Sequence, residues 1–192
     1  TGGRRGEVGI GPNRINEWTI MASAQGHSQY LIKQHGEEAK TRGLVFTYDV
    51  RVFYSNAHFN EAIDNPVKGL DGLRLAKAAA SVYAANGIKI YMFDDVRTTP
   101  ELSFAIRHLH AIAGDMFSAS HNPPDHNGKK VYDEFGGQLI PPFDENLVDE
   151  VTQNVTEIQS MPYEQAVAEG KVVYLGKDVD DGSEGEGKSK AG

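Results

Sequence analysis

Between Phe117 and Val131 the chain reads Ser-Ala-Ser-His-Asn-Pro-Pro-Asp-His-Asn-Gly-Lys-Lys. Ser120, His121 and Asn122 offer a hydroxyl, an imidazole and an amide in consecutive positions, and Pro123-Pro124 closes them off. Proline fixes φ and steers the residue before it away from helix, so this loop should hold its polar groups in one arrangement. A serine hydroxyl is a weak nucleophile unless a base relieves it of its proton or it arrives already modified. His121 follows Ser120 directly, and neighbours in extended chain point to opposite sides, so a Ser–His relay is not implied. No Gly-x-Ser-x-Gly elbow is present either. A phosphorylated serine would carry a charge near −2, three acceptor oxygens and a group that can be transferred. The plainer alternative is a serine that caps a turn.

Two cations are placed to serve such a phosphate. Lys130 lies ten residues beyond Ser120, where a hairpin would return its ammonium toward the hydroxyl. Arg5 sits in a glycine-flanked opening segment, read here as a loop, where backbone amides and a guanidinium can hold an anion together. An exposed loop arginine and an ordinary strand lysine are the competing readings. His121 and Asn122 either hydrogen-bond around the site or simply shape the loop. Asp49 and Arg51 either support that loop as an ion pair or form a plain salt bridge at a strand end. His121, Asp125 and His126 lack further ligands at zinc spacing. Arg107, His108 and His110 read as a solvated helix face.

The elements that must carry these groups alternate. Residues 13–36 form an imperfect amphipathic helix, 44–48 a buried strand, and 52–68 a long surface loop. An alanine-rich helix over 70–85 stops at Asn86-Gly87, and a strand follows over 88–93. Thr99 caps a helix that opens on Pro100 and runs to about Ala113, and Asp115–Ala119 is a strand ending at Ser120. A strand over 129–135 follows too soon for a crossover helix, so it should pair antiparallel. A further helix spans 144–159. The expectation is an α/β fold, with a mixed, mostly parallel sheet covered by helices on both faces. We read residues 1–180 as one domain ending in a linker helix toward a further domain, and 181–192, which carry no apolar residue but alanine, as a disordered tail.

Composition sets bounds. The 192 residues are 39% hydrophobic, enough for one substantial core. A formal charge of −8 without a basic cluster argues against nucleic acid and against an anionic membrane surface. An anionic substrate would therefore be held by local arginines and lysines. With no cysteine, disulfides and thiol chemistry are excluded, which suits a reducing cytoplasm. No apolar run approaches the length of a membrane span, so the chain reads as soluble.

Several segments together resemble one family, the α-D-phosphohexomutases, which includes the phosphoglucomutases and phosphomannomutases. Ser118-Ala119-Ser120-His121-Asn122-Pro123 resembles its phosphoserine loop, usually written Thr-Ala-Ser-His-Asn-Pro. Thr1 to Gly6, Tyr48 to Arg51, Arg97 to Phe104 and Asn127 to Tyr132 resemble its other motifs in the same order. The resemblance implies that Ser120 carries the phosphoryl group, that Arg5 and Lys130 line it, and that Lys130 or a neighbour handles the sugar hydroxyl proton. It implies hexose phosphate and hexose bisphosphate as ligands, with the remaining domains of a longer chain as partners. It also implies Mg²⁺, met here only by Ser120 through its phosphate, because the family's Asp-Gly-Asp-Gly-Asp-Arg loop is not in this sequence. The family's sugar-recognition loop is likewise outside it. This part alone would then be inactive. A phosphopentomutase branch, or a binding module that keeps the fold without turnover, stays open. Arg4 stands where the family usually has an apolar or aromatic residue.

Overall fold

A computed structural model describes residues 3–60 and 62–176. The expected tail at 181–192 and the end of the expected domain at 180 lie outside the described residues. The six-stranded sheet has the order β1-β5-β4-β2-β3-β6. Its strands are β1 (Gly3–Glu7), β2 (Leu44–Tyr48), β3 (Ile90–Phe93), β4 (Ala113–Phe117), β5 (His126–Asp133) and β6 (Val172–Leu175). Strands β4, β2, β3 and β6 run parallel, and β5 is antiparallel to both β4 and β1, so the sheet is mixed as the short β4–β5 connection requires.

Helices cover both faces. Alternation along β2 sends Leu44, Phe46 and Tyr48 into the larger core with α1 (Glu17–His35), the short α2 (Glu37–Arg42) and α3 (Gly72–Ala85). Val45 enters a smaller core under α4 (Thr99–His108), with Leu102, Ile106, Met116 and Tyr132. This two-sided burial explains why β2 is apolar at four of its five positions, with Thr47 the exception. Asn16 and Thr19 cap α1 reciprocally, and Asp71 caps α3 by accepting from the Arg74 amide at 2.7 Å.

Several expected boundaries move, most of all around α4 and after Pro142. The cap of α4 is Thr98, whose side chain and backbone pair with Glu101, so Thr99 is the first helical residue. That helix ends at His108, not near Ala113. His110 takes φ 52°, and the Ala111 amide reaches back to the Ile106 carbonyl at 2.9 Å, a left-handed C-terminal closure. The expected helix over 144–159 holds only as α5 (Phe143–Asp149) and a π-helical turn, Glu150–Asn154. The chain then straps across α1 and α3, its Gln159 amide bonded to Gln25 Oε1 at 3.0 Å and its Met161 amide to the Ser81 carbonyl at 3.1 Å. A short helix, α6 (Tyr163–Ala168), and β6 follow, and β6 extends the sheet beside β3.

Candidate active site

Asp49 and Ser118 stand just beyond the carboxyl ends of the parallel neighbours β2 and β4, where open α/β sheets place their ligands. The loop from Ser118 to Asp125 turns back there into β5. It is closed by the Ser118 amide on the Gly128 carbonyl at 2.9 Å and the Asn122 amide on the Ala119 carbonyl at 3.1 Å. Ser120 is exposed at its tip with φ 59°. A non-glycine residue in the left-handed region is uncommon and persists only where its surroundings hold it.

Those surroundings are well defined. Ser118 Oγ donates to Asp49 Oδ2 at 2.6 Å and accepts from the Ser120 amide at 2.9 Å. The Arg51 guanidinium donates to Asp49 Oδ2 at 3.0 Å from Nε, to the Ser120 carbonyl at 2.8 Å from Nη2, and to the His126 carbonyl at 2.6 Å from Nη1. Of the two readings left open for Asp49 and Arg51, support of the loop is the one the geometry realises.

Arg5 is not in a loop. It lies on edge strand β1 opposite Gly128 of β5, where a Cβ would meet the Arg5 Cα at 2.8 Å, so this glycine permits the close approach of the two strands. Register places Arg5, Gly128 and Lys130 on the α4 side of the sheet. Burial lowers the pKa of the half-buried Lys130 ammonium, and the positive charges of Arg5 and Arg51 push the same way, while Asp49 opposes them. Three cations and one carboxylate therefore lie together near the 118–125 loop. Arg5, His121 and Asn122 line a cleft of about 580 Å³ that is also walled by Arg4, Asp144 and Leu147. Ser120 and Lys130 are not on the wall of that cleft. Asn122 Nδ2 lies 3.3 Å from His126 Nδ1, and Arg4 donates to the Pro12 carbonyl at 2.6 Å. Arg107, His108 and His110 are exposed, with His108 stacked on Phe104.

Sequence reasoning missed a second polar cluster on the other side of β5. Lys129 Nζ lies 3.0 Å from Asp115 Oδ2 and 2.8 Å from Tyr83 Oη, which donates to Asp115 Oδ2 at 2.8 Å. His27 Nδ1 is 2.7 Å from Tyr83 Oη. All four side chains are fully buried. The signal was in the tandem lysines: on a strand, one of two neighbours must face inward.

Among the described residues no group of three or more His, Asp or Glu could hold a metal ion. The described residues do not by themselves fit a magnesium site, which wants octahedral oxygen ligation.

Comparison with known proteins agrees with the fold. The family described as phosphoglucomutase/phosphomannomutase, alpha/beta/alpha domain I, matches residues 70–158. A phosphoglucomutase of Staphylococcus saprophyticus is 36% identical over 194 residues, spanning 100% of this chain and 31% of that protein. A phosphopentomutase of Mus musculus is 36% identical over 172 residues, 90% of this chain and 25% of that one. The solved structure of a phosphoglucomutase/phosphomannomutase family protein from Burkholderia thailandensis superposes with a TM-score of 0.59 at 18% identity, covering 91% of this chain and 31% of that one, a likeness of fold. The chain belongs to the phosphoglucomutase/phosphomannomutase family and carries its α/β/α domain I. It spans about a third or less of the curated relatives it matches.

Proposed function

We propose that this chain is the N-terminal catalytic part of a longer phosphohexomutase that interconverts hexose 1-phosphate and hexose 6-phosphate. The observation that carries the reading is Ser120, exposed and held at φ 59° on a braced loop beside Arg5, Lys130 and Arg51. In the forward half-reaction the P–Oγ bond of phospho-Ser120 breaks and a P–O bond to the free sugar hydroxyl forms. Lys130, as the neutral amine, takes that hydroxyl's proton and passes it to the departing Ser120 Oγ, which leaves both groups neutral for the return step. The bisphosphate reorients, its other phosphoryl group passes to Ser120 Oγ, and the serine proton ends on the departing sugar oxygen. Arg5 neutralises the phosphoryl oxygens, with His121 and Asn122 as hydrogen-bonding neighbours.

Magnesium, if bound, would supply charge neutralisation at the phosphate of Ser120, with its remaining ligands from beyond this chain. Cytoplasmic location suits a sequence without cysteine, and no helix among the described residues is long and apolar enough to cross a membrane. A pentose phosphate is the second reading, favoured by the mouse phosphopentomutase matching as well as the staphylococcal phosphoglucomutase.

The test is transfer itself. Incubation of the longer, unphosphorylated protein with glucose 1,6-bisphosphate should place one phosphate on Ser120, located by peptide mass spectrometry. Phosphate found elsewhere, or none, defeats the reading. Ribose 1,5-bisphosphate run in parallel compares the two sugars.

A pH profile tests the role of Lys130 separately. The neutral amine is the active base, so kcat/KM falls as pH drops through its pKa, which burial and Arg5 hold low. Removing the Arg5 charge raises that pKa, so Arg5→Met is expected to move the acid limb to higher pH. A limb that stays in place means another group titrates.

A further inference from the structure

Ser120 owes its unusual backbone to a neighbour that does not touch the reacting atoms. The Arg51 fork spans the loop: it reaches Ser120 at the tip through one nitrogen, and Pro123 (3.3 Å) and His126 (2.6 Å) at the return through the other. Its Nε is anchored on Asp49, whose Oδ1 also accepts from the Arg51 amide at 3.2 Å. Asp49 in turn reaches the Ser120 amide through Ser118 Oγ. The peptide units on both sides of the Ser120 Cα are thus held, the amide by the Ser118–Asp49 chain and the carbonyl by Arg51. Fixing both units fixes φ and ψ at that residue, and so the direction of its Cα–Cβ bond.

We infer that Arg51 is a positioning residue of the phosphoryl-transfer site, holding Ser120 in the left-handed conformation that presents its oxygen to the substrate. The inference rests on the phosphoserine reading and adds a residue outside the Arg5 and Lys130 pair. A guanidinium is needed because a planar fork can serve carbonyls on two sides of the loop while Nε keeps its carboxylate. An ammonium is a single point charge and cannot span them. Arg51 is only about one-sixth exposed, so water does not readily replace these bonds.

Arg51→Lys keeps the positive charge beside Lys130 and removes the fork. In the full-length enzyme it is expected to lower kcat on the order of ten- to a hundredfold, as a misplacement of about 1 Å does, with KM for the sugar phosphate nearly unchanged. The acid limb of the pH profile should stay in place, because the charge remains. Amide hydrogen exchange across residues 118–126 should quicken while exchange in α1 and α3 does not, which separates a loosened loop from a destabilised fold. Loop exchange unchanged from wild type overturns the inference, as does a loosened loop with full kcat. Ser120→Ala, assayed alongside, reports on the parent reading: if it retains turnover, the phosphoserine assignment fails whatever Arg51→Lys does to the loop.

Discussion

Ser120→Ala in the longer enzyme is expected to reduce mutase turnover by about 10⁴-fold or more, to the floor of the assay. Loss of the group that carries a covalent intermediate removes a pathway and not one contact, and such losses are the largest single-residue effects in enzymes. The remaining machinery would still bind the sugar phosphate, so substrate protection and affinity should persist while turnover does not. The structural cost is small. Ser120 is exposed, its backbone is held by Ser118 and Arg51 and not by its own hydroxyl, and alanine faces the same left-handed φ as serine. Unfolding should therefore shift by no more than about 0.5 kcal/mol. Any substantial turnover by the alanine variant would remove Ser120 from the reaction.

How much of this was legible beforehand follows from which forces act locally. The loop 118–125 announced itself because its prolines and hydroxyls are local determinants, and the antiparallel return into β5 followed from the shortness of the connection. In the sequence β1 reads as a loop because its glycines and arginines carry no period-two apolar signal. It becomes a strand only through pairing with β5, a contact more than a hundred residues away. The helix after Pro142 was overextended for a related reason: the amides of Gln159 and Met161 find acceptors on α1 and α3, which no local pattern reveals. Arg51 was singled out, yet its three carbonyl partners were not foreseeable, since they depend on where the loop folds back. Lys130 and Lys129 show the limit most clearly. Alternation says they face opposite sides, but not that Lys129 goes inward to Asp115.

That inward lysine makes a second strong prediction, on stability. Burial lowers the pKa of Lys129 and raises that of Asp115, while each partner's charge pulls the other back toward the ionised form. Burial, and then the Lys129 charge, holds His27 well below its ordinary value, which leaves the Lys129–Asp115 contact at 3.0 Å as the ion pair of the quartet. Removing only the cation strands a carboxylate whose Oδ1 already lacks a hydrogen-bond partner. Lys129→Met, close in volume, is therefore expected to cost about 3–5 kcal/mol at pH 7, read as a fall in the denaturant midpoint. The sign of the pH effect follows. In the variant Asp115 has a folded pKa raised further above its unfolded value, so its neutral form is favoured in the fold. The deficit should then narrow as pH falls through that raised value toward the ordinary range of aspartate, and widen as pH rises through it. Removing both charges should hurt less: in Lys129→Met with Asp115→Leu, Tyr83 can turn its proton to His27 Nδ1, 2.7 Å away, and no ion is left in the core. A single variant within about 1 kcal/mol of wild type at pH 7, or a double variant worse than the single, would mean that the buried pair does not hold β5 against β4 as an ion pair. The two lysines divide the strand's work by face. Lys129 ties β5 to the core through Asp115 on β4, and the strand so fixed carries Lys130 to the side where burial, and then the charges of Arg5, Asp49 and Arg51, shift its proton affinity.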